Sequence, residues 1–246
     1  MATPYRLGFL LCDHALEHLA VRFCDYPDMF ARAFSTVSQA IDWRVYDVTQ
    51  GELPAAVDAC DGYLISGSRY GAYDELPWIA PLEHFIRRLA EGTRPTVGLC
   101  FGHQIMGQAL GGAVRLAPQG WGIGIQHYET LATPHWMQPQ LATFLVPVCH
   151  QDQVLELPPD AQRIARSAHC ENFIVQFADH LLGIQGHPEF EREFIAALIE
   201  WRHQTLPEAT RRQALATLAE PHDSDTIKRW IATFLGIPIT TQVETD

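Results

Sequence analysis

The sequence predicts a three-layer α/β fold, with helices on both faces of a mainly parallel central sheet and a smaller antiparallel set of strands. Up to about residue 110, short apolar runs alternate with amphipathic segments at helical spacing, which is typical of βαβ units. Between residues 113 and 184, short β-like runs follow one another with few helices between them, which indicates antiparallel pairing. The 246 residues suffice for one large domain or two small ones.

The first half of the chain opens on a predicted buried strand at residues 6–11. A helical region at residues 16–36 follows, interrupted near Pro27, and Asp13 is placed to cap its start. Two further strands are predicted, an alternating one at residues 43–48 and an apolar one at residues 62–65. Next come an amphipathic helix at residues 82–90, which has Pro81 in its first turn, and an apolar run that ends at Cys100.

The second half begins with an amphipathic helix that starts after Cys100 and ends at Gly111-Gly112. Its predicted strands are residues 113–116, 123–131, 144–148, 163–167, 173–177 and 181–184. The predicted helices that complete the chain are residues 191 to about 204, 208–218 and 223–235, the last capped by Asp223 or Ser224. We therefore predict a main domain at residues 1–205 and a C-terminal helical extension at residues 206–246, packed on that same domain.

The composition excludes several classes of protein. The formal net charge is −12 and no Lys/Arg cluster stands out, which argues against binding to nucleic acid or to anionic membranes. No basic-then-apolar leader and no long apolar span is found, so we expect neither a secretory signal nor a membrane segment. The six cysteines lack CxxC spacing and are interpreted as free thiols of a cytoplasmic protein.

Two histidines, His14 and His18, are spaced four residues apart. On a helix this spacing places both imidazoles on one face, where they could hold a metal ion. The favoured interpretation is two exposed histidines at a helix start, and we predict no metal site.

The strand-to-helix turn at Cys100 is the first candidate for chemistry. Gly98 and Gly102 flank the cysteine, as a sharply bent backbone requires. Such a turn lifts the side chain out of the sheet edge, as in the nucleophile elbow of hydrolases, and the helix dipole then favours a thiolate. Because cysteine is among the most buried residue types, Cys100 alone does not distinguish a nucleophile from an inert core thiol.

A second motif, His187-Pro188-Glu189, follows the last predicted strand. Side chains two residues apart in an extended chain point to the same side, and the proline between them stiffens that geometry. A carboxylate beside an imidazole fixes its tautomer and stabilises the imidazolium, as the third member of a catalytic triad does. The tripeptide alone also fits a capped helix start, but together with the Cys100 turn it indicates a triad.

A loop rich in small residues, residues 66–74, leaves the predicted strand at residues 62–65. In open parallel sheets this edge is where ligands bind. The Gly67-Ser68 step could present backbone N–H groups to a developing oxyanion, or the segment could be an ordinary turn.

These motifs resemble a known family. The segments Gly98–Gln104 and Gly186–Glu189 look like the two signatures of class I glutamine amidotransferases, and the order of loop, cysteine and His-Pro-Glu also fits. The resemblance covers about residues 6–202. Residues 150–158 are similar to the free-standing branch that includes GMP-synthetase-like amidotransferases and plant γ-glutamyl peptidases. We accordingly expect a flavodoxin-like fold, with Cys100 and His187 at the C-terminal edge of the parallel strands.

The resemblance implies a role for each matching residue. Cys100 would be the nucleophile, His187 the general base and acid, and Glu189 its orienting carboxylate. The backbone N–H groups of Phe101 and Ser68 would form the oxyanion hole.

The resemblance also implies how substrate would be held. Gln104, with backbone groups near Gly67, Gln151 and Asp152, would bind the glutamine head group. Many family members carry Gly-Gly-Pro or Asn-Gly-Pro where this chain has Gly67-Ser68-Arg69, so Ser68 can serve only if it tolerates the required backbone dihedrals. Arg69 and residues 70–74 could instead set substrate choice.

The implied reaction is attack of the Cys100 thiolate on a γ-glutamyl amide, such as glutamine or a related small molecule, followed by hydrolysis of the thioester. No ATP-binding loop is found, so the protein would either serve a separate ATP-dependent synthetase or act alone on γ-glutamyl peptides or amides. A third hypothesis is a non-catalytic regulatory or scaffolding domain. No cofactor is expected, and the oligomeric state stays open.

Overall fold

The computed structural model describes residues 3–239, and its strands alternate with helices in the first half of the chain. The described strands are β1 (Tyr5–Leu11), β2 (Ile41–Asp47), β3 (Gly62–Ile65), β4 (Thr96–Leu99), β5 (Ala113–Leu116), β6 (Gly122–Thr130), β7 (Thr143–His150), β8 (Asp152–Glu156), β9 (Gln162–Arg166), β10 (Ile174–Ala178) and β11 (Leu181–Ile184). The α-helices are α1 (Glu17–Phe23), α2 (Tyr26–Ser35), α3 (Ile79–Ala90), α4 (Phe101–Ala109), α5 (Arg192–Trp201), α6 (Glu208–Thr217) and α7 (Ser224–Leu235). Short 3₁₀ helices span Val48–Gln50 and Arg202–Gln204.

Nine of these strands form one mixed sheet in the order β2-β1-β3-β4-β11-β10-β9-β6-β7. Strands β2, β1, β3, β4 and β11 run parallel, whereas β10, β9, β6 and β7 continue the sheet with antiparallel pairing. β5 and β8 form a separate antiparallel pair. The predicted flavodoxin-like α/β class, mainly parallel with an antiparallel set, is confirmed.

Helices cover both faces of the sheet because alternate strand residues point to opposite sides. On one face, Leu64 and Val97 pack in a cluster that includes Phe30 of α2 and Trp230 of α7. On the other face, Ile65 packs in a cluster contributed largely by α3 and α4. The short strands β3, β4 and β11 are buried along their whole length, as parallel strands under two helical layers must be.

The register of the central strands positions the site. Ile184 of β11 pairs with Leu99 of β4, and Ile65 of β3 pairs with Gly98. The segments that follow these three strands, at residues 66, 100 and 185, therefore leave the sheet side by side at one edge.

The helical region at residues 16–36 is interrupted at Cys24-Asp25, just before Pro27, which lies in the first turn of α2, and the Asp25 carboxylate accepts the N–H of Tyr26. Other local predictions were wrong. Asp13 does not cap α1, whose N-cap position is Leu16. The carboxylate of Asp13 instead accepts hydrogen bonds from His14 and Arg69.

At the other end of the chain, Asp223 lies at the N-cap position of α7 without capping it. Its carboxylate instead accepts the N–H of Leu145 on β7. Strand β8 was not predicted, because its polar residues hide the pattern and its pairing with β5 is long-range.

The predicted C-terminal extension can be followed through residue 239, and residues 240–246 lie outside the described part. Ile227, Trp230 and Ile231 of α7 are buried in the same cluster as Leu99 and Ile184. The described extension thus shares a core with the central sheet, while its division from a main domain at residue 205 stays a prediction.

Within residues 3–239, no helix has the length and apolar character needed to cross a membrane. The same residues contain no group of three or more His, Cys, Asp and Glu side chains arranged to hold a metal ion. The ring nitrogens of His14 lie 2.6 and 2.9 Å from carboxylate oxygens of Asp25 and Asp47. His14 is therefore engaged in hydrogen bonds to two carboxylates.

Candidate active site

Cys100 occupies the turn between β4 and α4 in a strained backbone conformation, with φ 50° and ψ −101°. A positive φ at a residue with a side chain costs on the order of 1–3 kcal/mol and persists where the surroundings enforce it. Here the N–H of Cys100 donates to the Ile184 carbonyl at 2.8 Å, and its carbonyl accepts the N–H of Gln104 at 3.0 Å. The adjoining strand and the first turn of α4 thus fix the bend.

The glycines on either side of Cys100 allow this turn to pack. A Cβ on Gly98 would lie 2.4 Å from the carbonyl oxygen of Gly102, and a Cβ on Gly102 would lie 2.4 Å from the carbonyl oxygen of Ile65. Both distances are far below van der Waals contact. The first turn of α4 therefore rests directly on the backbone of β3 and β4, as the sequence predicted for small flanking residues.

His187 and Glu189 form a buried pair just beyond β11. Each residue is 4% exposed, and Nδ1 of His187 lies 2.7 Å from Oε1 of Glu189. The imidazole also stacks on the ring of Phe190, with centroids 4.1 Å apart and planes within 4°. The backbone N–H of His187 donates to the Pro147 carbonyl at 2.8 Å. The ring is thus held by a carboxylate, an aromatic face and its own main chain.

The electrostatics of this pair favour the imidazolium. Burial desolvates the ring and by itself would lower the pKa of His187, but Glu189 and the Cys100 sulfur act in the opposite direction. Their charges and hydrogen bonds raise the pKa of His187 well above its usual value. The second carboxylate oxygen of Glu189, Oε2, is buried and has no hydrogen-bond partner among the described residues.

Gly67 brings Cys100 and His187 to the same place. A Cβ on Gly67 would lie 2.9 Å from Cε1 of His187 and 3.7 Å from Cβ of Cys100. Both side chains therefore lie against the backbone at Gly67, at the C-terminal edge of the parallel strands. A side chain at position 67 would collide with the imidazole, which explains why a glycine is needed there.

The two predicted oxyanion donors are available in the structure. Phe101 is the first residue of α4, so its N–H has no acceptor within the helix. Among the described residues, neither this N–H nor that of Ser68 donates to a protein acceptor. The non-glycine residues with positive φ in residues 3–239 are Cys24, Cys100 and Asp160, so Ser68 adopts its position without this form of strain.

Two clefts meet at Cys100. The first, which we call the apolar cleft, encloses about 590 Å³ open to solvent, and Gly67, His187 and Glu189 line it beside Leu16, Leu19, Tyr26, Phe30, Phe190 and Leu198. The second, which we call the polar cleft, encloses about 620 Å³, and its lining includes Gln104, His150, Gln151 and Asp152. Ser68, Arg69, Cys100, Cys149 and Arg202 line both clefts.

The structure therefore brings most of the predicted site residues together, but it divides them between the two clefts. Gln104 is 3% exposed, and its amide nitrogen donates to the Asp152 carbonyl at 2.8 Å and to Oε1 of Gln185 at 3.2 Å. The Phe101 side chain lies away from the clefts, against Trp78. The roles of these residues toward a substrate stay predictions.

Some side-chain contacts at or near the clefts could not be predicted from the sequence. The hydroxyl of Tyr73 donates to Asp152 at 3.0 Å, and burial together with this contact raises the pKa of Tyr73 to about 12. The guanidinium of Arg202 lies over the rings of Trp121 and Trp201, at 4.5 and 5.2 Å. These contacts, like that of Asp13 with Arg69, join residues whose spacing in the chain predicts nothing.

A model of the family Glutamine amidotransferase class-I matches residues 27–194 of the chain. The chain belongs to the class I glutamine amidotransferase family. The matched region contains the Cys100 turn and the His187–Glu189 pair, so the family that the two motifs predicted is confirmed.

Relatives of this amidotransferase-family protein include plant peptidases. It is 33% identical to γ-glutamyl peptidase 2 of Arabidopsis thaliana over 193 residues, which are 76% of this chain and 77% of the relative. It is 32% identical over 182 residues to γ-glutamyl peptidase 5 of the same plant, and these residues are 71% of this chain and 72% of the relative. A glutamine amidotransferase-like protein of Salmonella typhimurium, YfeJ, is 32% identical over 192 residues, covering 73% and 77%.

Solved structures show the same fold at lower identity. A glutamine amidotransferase from Thermotoga maritima superposes with a TM-score of 0.70 at 18% identity, covering 96% of this chain and 99% of the other. The structure of SMU.1228c superposes with a TM-score of 0.72 at 23% identity, covering 94% and 98%. The amidotransferase fold therefore extends over almost the whole chain.

Proposed function

We propose that the protein cleaves the γ-glutamyl amide bond of glutamine or a related γ-glutamyl compound through a thioester on Cys100. One observation carries the proposal. A buried His187–Glu189 pair faces a cysteine on a strained strand-to-helix turn, beside two N–H groups that have no acceptor among the described residues. This is the constellation of nucleophile, base, orienting carboxylate and oxyanion donors that acyl transfer requires.

The first half of the reaction forms the thioester. The Cys100 thiolate attacks the δ-carbonyl carbon, and the negative charge moves to the carbonyl oxygen, which the N–H groups of Phe101 and Ser68 stabilise. The carbon–nitrogen bond then breaks as His187 donates its proton to the leaving nitrogen. Each oxyanion donor contributes about 3–4 kcal/mol to transition-state stabilisation in enzymes of this type.

The second half releases the acid. His187, now neutral, takes a proton from water, and the resulting hydroxide attacks the thioester carbon. The carbon–sulfur bond breaks, which restores the thiolate and the imidazolium and releases the γ-carboxylic acid, whose proton then passes to solvent. Glu189 accepts from Nδ1 throughout and keeps the other nitrogen directed at the reacting atoms.

The two clefts suggest where each part of the substrate lies. The polar cleft offers Gln104, Gln151 and Asp152 to the γ-glutamyl head group. His187 lines the apolar cleft and must protonate the leaving nitrogen, so the leaving group departs on that side.

Two candidate functions share this chemistry. In a stand-alone γ-glutamyl hydrolase, the leaving group is an amine or a peptide, and the names of the Arabidopsis relatives favour this alternative. In an amidotransferase subunit, ammonia would pass to a separate ATP-dependent synthetase. The complete set of Cys100, His187 and Glu189 supports either enzyme over a regulatory or scaffolding domain.

The decisive experiment incubates the purified protein with glutamine and with a panel of γ-glutamyl peptides, and measures ammonia and free glutamate. We expect cleavage of at least one compound by the isolated chain, and no cleavage by Cys100→Ala. If the isolated chain is inert on every compound but releases ammonia after a synthetase is added, the channelling alternative is correct. Turnover by Cys100→Ala at the wild-type rate would refute the proposed thioester.

A further inference from the structure

The loop that carries one proposed oxyanion donor is attached at two points. At its start, the N–H of Ser66 donates to the Leu10 carbonyl at 3.1 Å, and the hydroxyl of Ser66 accepts the N–H of Cys12 at 2.9 Å. The carbonyl of Ser66 also accepts the N–H of Gly102 at 3.1 Å. This first attachment uses neutral groups and ties the loop to β1 and α4.

The second attachment, on the other side of Gly67-Ser68, is a charged one. The backbone N–H of Arg69 donates to the Asp13 carboxylate at 2.9 Å, and Nε of the same arginine donates to both carboxylate oxygens at 3.0 and 2.8 Å. The guanidinium also reaches the carbonyl of His14. Asp13 is 5% exposed, so the carboxylate is shielded from solvent, whereas the Arg69 side chain is 36% exposed.

Asp13 therefore binds the main chain and the side chain of one residue at once. Hydrogen bonds to a carboxylate are about twice as strong as those between neutral groups. The peptide group between Ser68 and Arg69 is held because its N–H, that of Arg69, is bonded to Asp13. Gly67 and Ser68 thus lie between two fixed points, Ser66 and Arg69. The direction of the Ser68 N–H is therefore set by groups outside the catalytic triad.

We propose that Asp13 is a positioning residue, which clamps Arg69 and so holds the Ser68 N–H toward the oxyanion formed at Cys100. The inference rests on the proposed function, because it assigns Ser68 to the oxyanion hole. Every group of the clamp belongs to this chain, so the loop is ordered without a second protein. This supports the stand-alone alternative.

Asp13→Asn tests the clamp, since it removes the charge and changes few atoms. We expect kcat on the best γ-glutamyl amide to fall by about 10- to 100-fold, because small displacements of oriented groups have effects of this size. KM should change less than about threefold. Alkylation of Cys100 by iodoacetamide should stay within about twofold of wild type, because that reaction needs the thiolate but no oxyanion hole. Arg69→Met, which keeps the backbone N–H, should reduce kcat less than Asp13→Asn does, and Arg69→Lys should reduce it least.

The chain offers a matched control at the other end of β1. Asp61 accepts the backbone N–H of Arg6 at 2.9 Å and its guanidinium at 2.8 Å, so it makes the same type of contact far from the site. Asp61→Asn should leave kcat and alkylation unchanged. Wild-type kcat in Asp13→Asn would overturn the clamp, as would a parallel fall of kcat and alkylation, which would mean that the whole site had lost its structure.

A second measurement separates this inference from the proposed function. If the wild-type protein cleaves no γ-glutamyl compound, the function fails, but hydrogen exchange still reports on the loop. Asp13→Asn should accelerate exchange of the amides in residues 66–70 at least fivefold, and Asp61→Asn should not. Equal exchange in wild type and Asp13→Asn would overturn the clamp whatever the activity.

Discussion

Burial makes the charges of His187 and Glu189 depend on each other. A carboxylate with a side chain removed from water is costly unless a cation or several donors compensate it, and Glu189 has the imidazolium as its described partner. Glu189 therefore raises the pKa of His187, although desolvation alone would lower it. In the proposed reaction, attack on the amide begins from a Cys100 thiolate that faces the His187 imidazolium.

The triad residues should differ in the size of their effects. We expect Cys100→Ala and His187→Ala to abolish cleavage of γ-glutamyl amides. The loss of activity in Glu189→Ala should be about 10- to 100-fold smaller than in those two variants, as for orienting carboxylates in other triads. Glu189→Gln should also move the alkaline limb of the kcat/KM profile to lower pH, because loss of the carboxylate lowers the pKa of His187. An unchanged limb would show that Glu189 does not stabilise the imidazolium.

Buried histidines should make the free energy of unfolding depend on pH. The effect of His187 runs in the opposite direction to the effects of His103 and His150. The folded pKa of His187 is raised, so its contribution is present below about pH 6.5 and is lost as pH rises through the folded value. Desolvation lowers the pKa of His103 and of His150 to about 3, so their contributions are present above about pH 6.5 and are lost as pH falls. Thermal unfolding should be measured between pH 4 and 9. Compared with wild type, the melting temperature of His187→Gln should fall less as pH rises, and that of His103→Gln should fall less as pH is lowered. Slopes equal to wild type would contradict this assignment.

At the scale of elements, the strand-to-helix turn depends on backbone contact between α4, β3 and β4. Gly102→Ala should destabilise the protein by about 1–3 kcal/mol or more, because the new Cβ would meet the Ile65 carbonyl at 2.4 Å. Gly92→Ala is the matched control, since its Cβ would approach nothing closer than 3.4 Å and its φ is not positive. That variant should stay within about 0.5 kcal/mol of wild type. Urea denaturation measures both, and equal stability of the two variants would show that the turn can relax.

The sequence predicted correctly those elements whose structure is determined by residues close to one another in the chain. The Cys100 turn follows from two glycines and an apolar run, and the His187–Glu189 contact follows from a spacing of two in extended chain. Asp13 was predicted to cap a helix because short polar residues do so locally, but a long-range arginine outcompetes that role. Strand β8 was missed because Asp152 and Glu156 show no strand-like periodicity, and its pairing with β5 is a tertiary contact.

At the scale of the whole molecule, α7 closes the core on one face of the sheet. Trp230 is fully buried, packs edge-on against Phe144 and donates Nε1–H to the Pro139 carbonyl at 2.9 Å. Trp230→Ala should therefore cost about 3–5 kcal/mol, as large-to-small changes in cores do. Trp201 is the control of the same residue type, because it is 40% exposed. Trp201→Ala should lower the free energy of unfolding far less than Trp230→Ala does. Similar losses in the two variants would mean that α7 contributes little to the core.

The position of β11 between β4 and β10 divides the sheet into two halves that differ in when they are synthesised. Strands β1 to β4, with Cys100, leave the ribosome early, whereas His187, just after β11, follows 87 residues after Cys100. β11 forms a local hairpin with β10, but the sheet is continuous only after β11 also pairs with β4, which lies far away in the chain. Contacts of such separation form slowly. The thiol is therefore expected to gain its base at the last step of folding. Stopped-flow refolding should show reactivity of Cys100 toward a γ-glutamyl electrophile lagging behind the signal for helix formation, and a simultaneous rise would refute this order.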